Sequence, residues 1–179
     1  MVQILLEKNY NPPLSPSPMT NERWMELVQT VESCLEARDV HWICSFVSLD
    51  CTRSLCIFEA NYTEAVRTAY REAKASFNRV WRAQIGSGLS NDTIDCLSPV
   101  VAEVSYNPPV TKEQWEQAQQ MAQPCFKELQ ICQLTSYLAA TGEQGVCIFS
   151  APSAEAVRNL YRKLGLAFDC VWRSRLFIP

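Results

Sequence analysis

The feature that most constrains the fold of this chain is an internal repeat at an offset of 91 residues. The strip Cys56-Ile57-Phe58-Glu59-Ala60 recurs as Cys147-Ile148-Phe149-Ser150-Ala151. The pairing runs without a gap from position 20 to position 82, and about 20 of these 63 positions are identical. An ungapped match of this length indicates two copies of one folding unit. In a chain of 179 residues, each copy has roughly 80 to 90 residues.

The residue pattern of each copy predicts the order strand, helix, strand, strand, helix, strand. Apolar β-branched runs indicate the strands, and apolar stripes at helical spacing indicate the helices. The predicted elements of the first copy are a strand at 2–8, a helix capped by Thr20, strands at 40–47 and 55–60, a helix after the capping-box pattern Asn61-Tyr62-Thr63-Glu64, and a strand at 77–85. In the second copy, Pro124 lies inside the first helix and predicts a kink or a break near Gln123.

This element order is typical of the ferredoxin-like, or split βαβ, arrangement. Two helices cover one face of each sheet, and apolar residues on the other face also require a cover. The neighbouring copy is the available partner. We therefore predict an α+β fold in which two tandem ferredoxin-like (βαββαβ) domains pack as a pseudo-dimer of the dimeric α+β barrel type.

The predicted domain organisation follows from the repeat and from the composition between its copies. The segment Gly86 to Asp92 is rich in Gly, Ser, Asn and Asp, as is typical of a linker. The predicted domains are residues 1–86 for repeat 1 and 99–179 for repeat 2, with a linker at 87–98.

Composition excludes several classes of function. The net charge of −3 is unfavourable for nucleic-acid binding, and no apolar run approaches the roughly 20 residues of a membrane helix. Nine cysteines, an odd number, without a basic and apolar leader predict a reducing, cytoplasmic location. The sequence also contains no phosphate-binding loop, dinucleotide-binding glycine motif, zinc-protease helix or nucleophile elbow.

Short motifs in both copies resemble a family of small nickel-binding, ferredoxin-like proteins known as domain of unknown function 4242. The family pattern joins a Trp-x-His-Ser-Tyr strand to a Cys-x-Tyr-x-Ala-Pro strand end and a Glu-Ala-x-Arg helix. The matching segments are 42–46, 56–60 and 64–67 in the first copy and 133–137, 147–153 and 155–158 in the second. The resemblance implies a ferredoxin-like dimer with a metal or small ligand near the sheet. The strand histidine of the family is replaced by Cys44 in one copy and by Thr135 in the other.

The candidate metal ligands are Cys44, Cys56 and Cys147. If the hairpin turns near Asp50, Cys44 lies across from Cys56, and two close thiolates suit a soft transition metal. A buried apolar role is the alternative for each cysteine. His41, the only histidine of the chain, lies on the opposite strand face from Cys44 in a regular strand.

The sequence leaves three functions open. The leading hypothesis is a non-catalytic binding protein for a small ligand, a metal or a protein partner, without nucleic-acid binding or membrane insertion. The alternatives are a small-molecule enzyme of the dimeric α+β barrel type and an assembly or adaptor protein. The predicted ligand-binding residues are the strand aromatics Trp42, Phe46, Phe58, Tyr137 and Phe149. The fold alone does not decide between these functions.

Overall fold

The computed structural model describes residues 1–87 and 98–179 of the chain. The described strands are β1 (Val2–Asn9), β2 (His41–Ser48), β3 (Arg53–Ala60), β4 (Arg79–Ser87), β5 (Val100–Ser105), β6 (Cys132–Ala139), β7 (Gln144–Ser150) and β8 (Cys170–Phe177). The described helices are α1 (Asn21–Glu36), α2 (Thr63–Glu72), α3 (Lys112–Glu128) and α4 (Ala154–Lys163). Within these ranges, no helix combines the length and the apolar character needed to cross a membrane.

The chain divides into two compact units. Unit 1 comprises Met1–Ala83 together with Arg175–Pro179, and unit 2 comprises Gln84–Ser174. Most of the linker predicted at 87–98 lies outside the described residues, and the predicted domain boundaries at 86 and 99 stay a prediction.

Unit 1 contains a four-stranded antiparallel sheet in the order β4-β1-β3-β2. Its helices α1 and α2 pack on one face of the sheet, where the buried side chains form a core. Val66 and Ala69 of α2 and Val31 and Leu35 of α1 belong to this core. The Phe177 ring also contributes, with its centroid 5.5 Å from that of Trp24. Burial of this apolar surface is the main stabilising contribution to such a small unit.

Unit 2 repeats the arrangement with the sheet order β8-β5-β7-β6. Helices α3 and α4 supply the core on its helix-covered face, where Phe126 packs edge-on against Phe149. Both repeats therefore have the order βαββαβ, which confirms the predicted α+β class with two tandem ferredoxin-like domains.

The helix termini confirm the cap predicted at Thr20 but not the capping box predicted before the second helix. Thr20 accepts a hydrogen bond from the Arg23 backbone N–H, and Thr111 forms a complete capping box with Gln114. The capping box predicted at positions 61–64 is wrong, because α2 begins after Tyr62 and has no side-chain cap. In the second repeat, Ser153 occupies that position and accepts from the Ala156 N–H.

The first helix of the second repeat, for which Pro124 predicts a kink or a break near Gln123, is not broken. Helix α3 continues through Pro124 to Glu128. Trp115, Ala122 and Phe126 of this helix are buried in the core of unit 2. Tertiary packing on both sides of the proline therefore offsets the lost backbone hydrogen bond.

A bulge changes the face on which the residues of β2 lie. The register shifts between Trp42 and Cys44, so that Trp42 pairs with Phe58 whereas Ser45 pairs with Cys56. β6 has the same shift between Gln133 and Thr135. Because side chains alternate along a strand, the extra residue moves every later side chain to the other face. Simple alternation along these strands predicts the wrong faces beyond the bulge.

Candidate ligand-binding cavity

A cavity of about 310 Å³ lies within unit 1, between α1 and the helix-covered face of the sheet. This volume falls within the ordinary range for sites that bind small molecules. One wall is apolar and consists of residues from α1 and from the facing strands: Leu6, Trp24, Leu27, Val28, Val31, Leu35 and Phe58. The exposed residues Asn9, Asn11, Pro12 and Thr30 line the side of the cavity that reaches solvent.

A line of polar groups extends across the floor of the cavity. Trp42 Nε1 donates to Ser45 Oγ over 2.9 Å, and Ser45 Oγ in turn donates to Cys56 Sγ over 3.0 Å. The β2 bulge makes this possible, because it places Ser45 directly opposite Cys56. Ser54 and Tyr70 also hydrogen-bond the thiol. The floor thus satisfies its own buried polar groups, as packed interiors require.

Cys56 remains a neutral thiol at physiological pH. Burial raises the pKa of Cys56 to about 11, although the hydrogen bonds from Ser45, Ser54 and Tyr70 and the charge of Lys8 act in the opposite direction. A thiolate is needed for nucleophilic attack or for metal binding. Cys56 is therefore a hydrogen-bonding part of the wall rather than a reactive group.

Tyr10 stands at the edge of the cavity and is held there by Ser54. The two hydroxyl oxygens lie 2.8 Å apart. Burial is the main cause that raises the pKa of Tyr10, so this hydroxyl also stays protonated. The interaction fixes the aromatic ring at the end of β1, close to the solvent side of the cavity.

Trp24 supplies a hydrogen-bond donor with no acceptor. Its side chain lines the cavity and is 3% exposed, and its Nε1 has no hydrogen-bond partner among the described residues. An unpaired buried donor costs about 1–3 kcal/mol, and native proteins contain few of them. The wall of the cavity therefore contains a buried donor that the described residues leave unpaired.

Lys8 adds a positive charge to the cavity lining. It is half-buried on β1 opposite Ser54, with Nζ 5.1 Å from the centroid of the Tyr10 ring. Burial lowers the pKa of Lys8, and the nearby Cys56 acts in the opposite direction. No ion pair joins Lys8 to a carboxylate in the described part of the chain.

The equivalent cavity of unit 2 is largely filled, with a volume of about 50 Å³. One cause is the residue opposite the tyrosine, because Gly145 stands where unit 1 has Ser54. A Cβ atom on Gly145 would lie 3.2 Å from Cε2 of Tyr106, so the tyrosine ring occupies the space that a serine would take. Tyr106 hydrogen-bonds Trp115, the equivalent of Trp24. The second repeat thus satisfies internally the indole donor that the first repeat leaves free.

Larger side chains complete the filling of unit 2. Leu160, Leu164, Leu166 and Phe126 line its small cavity. The positions 91 residues earlier hold the smaller side chains Ala69, Ala73, Ala75 and Leu35. The two repeats share a fold but differ in the space that their cores leave open.

The structure brings together only some of the predicted ligand-binding residues. Trp42 and Phe58 line the cavity of unit 1, and Phe149 lines the small cavity of unit 2. Phe46 and Tyr137 line neither cavity, and both are fully buried. The β-bulges are the reason, since Phe46 and Tyr137 follow them and pair on the sheet face that the helices do not cover.

The predicted thiol pair across the first hairpin is wrong. Cys44 pairs with Ile57, so Cys44 and Cys56 point to opposite faces of the sheet. Burial raises the pKa of Cys44 well above the usual value, and burial raises that of Cys147 to about 12. No group of three or more His, Cys, Asp or Glu side chains in residues 1–87 and 98–179 could hold a metal ion. The described donor set does not fit a nickel site.

The titratable groups of the cavity lining are an amine, two phenols and a thiol. They belong to Lys8, Tyr10, Cys56 and Tyr70, and no histidine or carboxylate lines the cavity among the described residues. His41 lies elsewhere, exposed, with Nε2 3.1 Å from Asp39 Oδ1. The arrangement can bind and orient a molecule through hydrogen bonds and charge, whereas general acid–base catalysis usually needs a group that titrates near the working pH.

Sequence reasoning missed Lys8, Tyr10, Trp24 and Ser54 as members of one cavity. A signal for two of them was present in the repeat, because Ser54 matches Gly145 and Lys8 matches Val104. Positions that differ between two copies of one fold indicate where the two copies have diverged in function. The unpaired Trp24 donor has no sequence signal, since both copies contain the tryptophan.

Comparisons with solved structures support the fold. A chlorite dismutase variant from Candidatus Nitrospira defluvii in complex with cyanide is 8% identical with a TM-score of 0.51, and the match covers 97% of this chain and 89% of that one. An anthrone oxidase-like protein is 11% identical with a TM-score of 0.50, covering 99% of this chain and 91% of that one. At such identities the likeness shows the fold alone, which is of the dimeric α+β barrel type.

Comparison with protein families gives a match in both repeats. The family described as nickel responsive protein SCO4226-like matches residues 10–82 and 101–173. The crystal structure of SCO4226 from Streptomyces coelicolor A3(2) is 13% identical with a TM-score of 0.36, and the match covers 44% of this chain and 90% of that one. No curated protein matches the chain significantly. Since the two matched segments make up most of its length, the chain belongs to the SCO4226-like family, as a tandem repeat.

Proposed function

We propose that this chain is a non-catalytic binding protein that holds a small organic molecule in the cavity of unit 1. The observation that carries the proposal is a cavity of about 310 Å³ lined by the buried Trp24 side chain, whose indole N–H has no acceptor among the described residues. The second repeat uses the same fold and the same tryptophan but fills the space. Core packing by itself therefore does not require the opening in unit 1.

A ligand with an acceptor atom would recover the free energy that the unpaired donor costs. Removing an unsatisfied buried polar group is worth about 1–3 kcal/mol, which corresponds to roughly 5-fold to 150-fold in affinity. The apolar wall from α1 would add the burial of the hydrocarbon part of the molecule. The exposed residues at the solvent side provide a route of entry.

Nickel is not part of the proposal for this chain. The family is described as nickel responsive, but the donors that the described residues offer do not fit a nickel site. All three predicted ligands, Cys44, Cys56 and Cys147, are buried thiols whose pKa burial raises far above neutrality. A metal would have to displace these protons before it could bind.

The proposed location is the reducing cytoplasm. The eight cysteines within the described residues are all free thiols, of which Cys132 is exposed. Such thiols persist in a reducing compartment.

The test measures the binding of octanamide by isothermal titration calorimetry. Octanamide is a neutral molecule with an apolar chain and one acceptor oxygen. We expect saturable binding at one site per chain. The variant Ala69→Leu/Ala75→Leu introduces the side chains that occupy these positions in unit 2, and it should abolish binding. Ala167→Leu, an exposed position in unit 2, is the matched control and should bind as the unsubstituted chain does. Absence of saturable binding, or equal binding to the filled variant, would contradict the proposal.

A further inference from the structure

The cavity of unit 1 contains a cation that the protein itself does not neutralise. Lys8 is half-buried, lies opposite Ser54 and forms no ion pair within the described residues. Its Nζ lies over the Tyr10 ring, 5.1 Å from the ring centroid. Partly burying an ammonium group without a counter-ion is unfavourable, so an anion bound beside Lys8 would be stabilising.

The second repeat shows that this position does not need a charge. Val104 occupies the place of Lys8 there, because it lies opposite Gly145 just as Lys8 lies opposite Ser54. Val104 is buried in the filled core of unit 2. The lysine thus occurs together with the open cavity, and the valine with the filled one.

The charge of the lining sets the charge of the anion. Lys8 is the only Lys or Arg side chain that lines the described cavity, and no carboxylate accompanies it there. A single cation matches a single negative charge, whereas a phosphate carries nearly two and is usually held by arginine forks or several backbone N–H groups. The two oxygens of a carboxylate suit one ammonium group and one indole N–H.

The remaining residues of the cavity lining favour an anion with an apolar hydrocarbon part. Leu27, Val28, Val31 and Phe58 present an apolar surface that inorganic anions would leave unused. Burial of hydrocarbon there contributes about 25 cal/mol per Å².

We propose that the molecule bound in unit 1 is an organic monocarboxylate, with its carboxylate at Lys8, an oxygen accepting from Trp24 Nε1 and its apolar chain against α1. This inference rests on the proposed binding function and specifies the class of its ligand. Ser54 acts as a positioning residue, because it holds the Tyr10 ring at the edge of the site.

The test compares octanoate with octanamide, which has the same chain but no charge. By titration calorimetry at pH 7, octanoate should bind the full chain at least about 10-fold more tightly than octanamide, since a charge-assisted hydrogen bond is roughly twice as strong as a neutral one. Lys8→Met should remove this preference by weakening octanoate binding far more than octanamide binding, whereas Trp24→Phe should weaken the binding of both. Lys127→Met, at an exposed position on α3, is the matched control and should retain the preference.

Each outcome distinguishes the two proposals. Equal affinity for octanoate and octanamide, or a preference that survives in Lys8→Met, would overturn the monocarboxylate inference and leave the binding function standing. Binding of neither molecule would count against both. Lys8→Gln serves as a second variant, and thermal unfolding of each variant verifies that the fold is retained.

Discussion

The Tyr10 hydroxyl lies 2.8 Å from Ser54 Oγ, whereas its counterpart Tyr106 lies over a glycine and hydrogen-bonds a tryptophan. One side-chain difference, Ser54 against Gly145, therefore accompanies two positions of the same ring. In unit 1 the ring stands at the edge of an open cavity, and in unit 2 it helps to fill the equivalent space. The repeat thus contains its own comparison between an open and a filled form of one fold.

The first prediction concerns a substitution that should convert the open cavity of unit 1 towards the filled form seen in unit 2. In Ser54→Gly, the Tyr10 hydroxyl loses its partner and the space beside it opens, so we expect the ring to move towards Trp24 and satisfy the indole donor. Octanoate should then bind at least about 10-fold more weakly by titration calorimetry, as expected when a buried donor is no longer available. Ser54→Ala is the matched variant, because it removes the hydroxyl and keeps the Cβ that blocks the ring. It should lose much less affinity, and an equal loss in both variants would contradict this role of Ser54.

The second prediction concerns an arginine that occurs in both repeats. Arg67 Nη2 donates to the Val80 carbonyl over 2.7 Å, and Arg158 Nη2 donates to the Val171 carbonyl over 2.8 Å. These contacts tie each second helix to the last strand of its own repeat. Arg67→Ala should lower the free energy of unfolding by about 1–2 kcal/mol in urea titrations, because it leaves a strand carbonyl unpaired.

The matched control for this arginine is Arg71→Ala. Arg71 is exposed and pairs only with Glu64 among the described contacts, so its removal should change stability by less than about 1 kcal/mol. Neither substitution should alter octanoate binding. A loss of binding in Arg67→Ala without a loss of stability would indicate a role in a binding surface instead.

The third prediction is a loss of stability in alkali. Burial is the main cause that raises the pKa of Cys56 from its usual value of 9.0 to about 11 in the folded chain. Between these values the unfolded chain gives up the proton first, so the folded state binds more protons and the free energy of unfolding falls as pH rises. The contribution is fully present below about pH 9 and declines towards pH 11. Urea unfolding at pH 8, 9, 10 and 11 measures the slope.

Cys56→Ala should make that slope shallower. Cys147 has its pKa raised to about 12 by burial and should supply part of the decline that remains. An unchanged slope in Cys56→Ala would show that burial of this thiol does not govern the alkaline behaviour.

The fourth prediction concerns nickel. Elemental analysis of untagged protein, purified with nickel in the growth medium and without a chelator, should give far less than one nickel per chain. The reason is that the described residues bring no three suitable donors together. Cys44→Ser should leave the nickel content unchanged, since Cys44 is fully buried and faces away from Cys56. A content near one per chain that falls in Cys44→Ser would contradict this reading of the donor set.

The sequence predicts the fold well because the repeat and the apolar periodicity report on packing. The element order, the cap at Thr20 and the apolar stripes of the helices depend on local residue types, which can be read directly from the sequence. The errors in the strands come from the bulges after Trp42 and Gln133, since one inserted residue reverses the faces of all that follow. That reversal explains why Phe46 and Tyr137 are not in the cavities.

The cavity itself is not predictable from one sequence, because it is a property of three-dimensional packing. Lys8, Trp24 and Ser54 lie far apart along the chain and meet only when β1, α1 and β3 have folded. The volume depends on small differences such as Ala69 against Leu160, each of which is an ordinary core residue. Of the residues that the sequence predicted to bind a ligand, Trp42 and Phe58 line this cavity.

The central claim is that unit 1 holds a small ligand where unit 2 does not, and a crystal structure of the full chain with octanoate tests it most directly. We predict density for one octanoate per chain, with a carboxylate oxygen within about 3.5 Å of Lys8 Nζ and the alkyl chain against Val28, Val31 and Phe58. The cavity of unit 2 should remain empty of ligand. Octanoate bound only outside the unit 1 cavity, or bound equally in both units, would contradict the account.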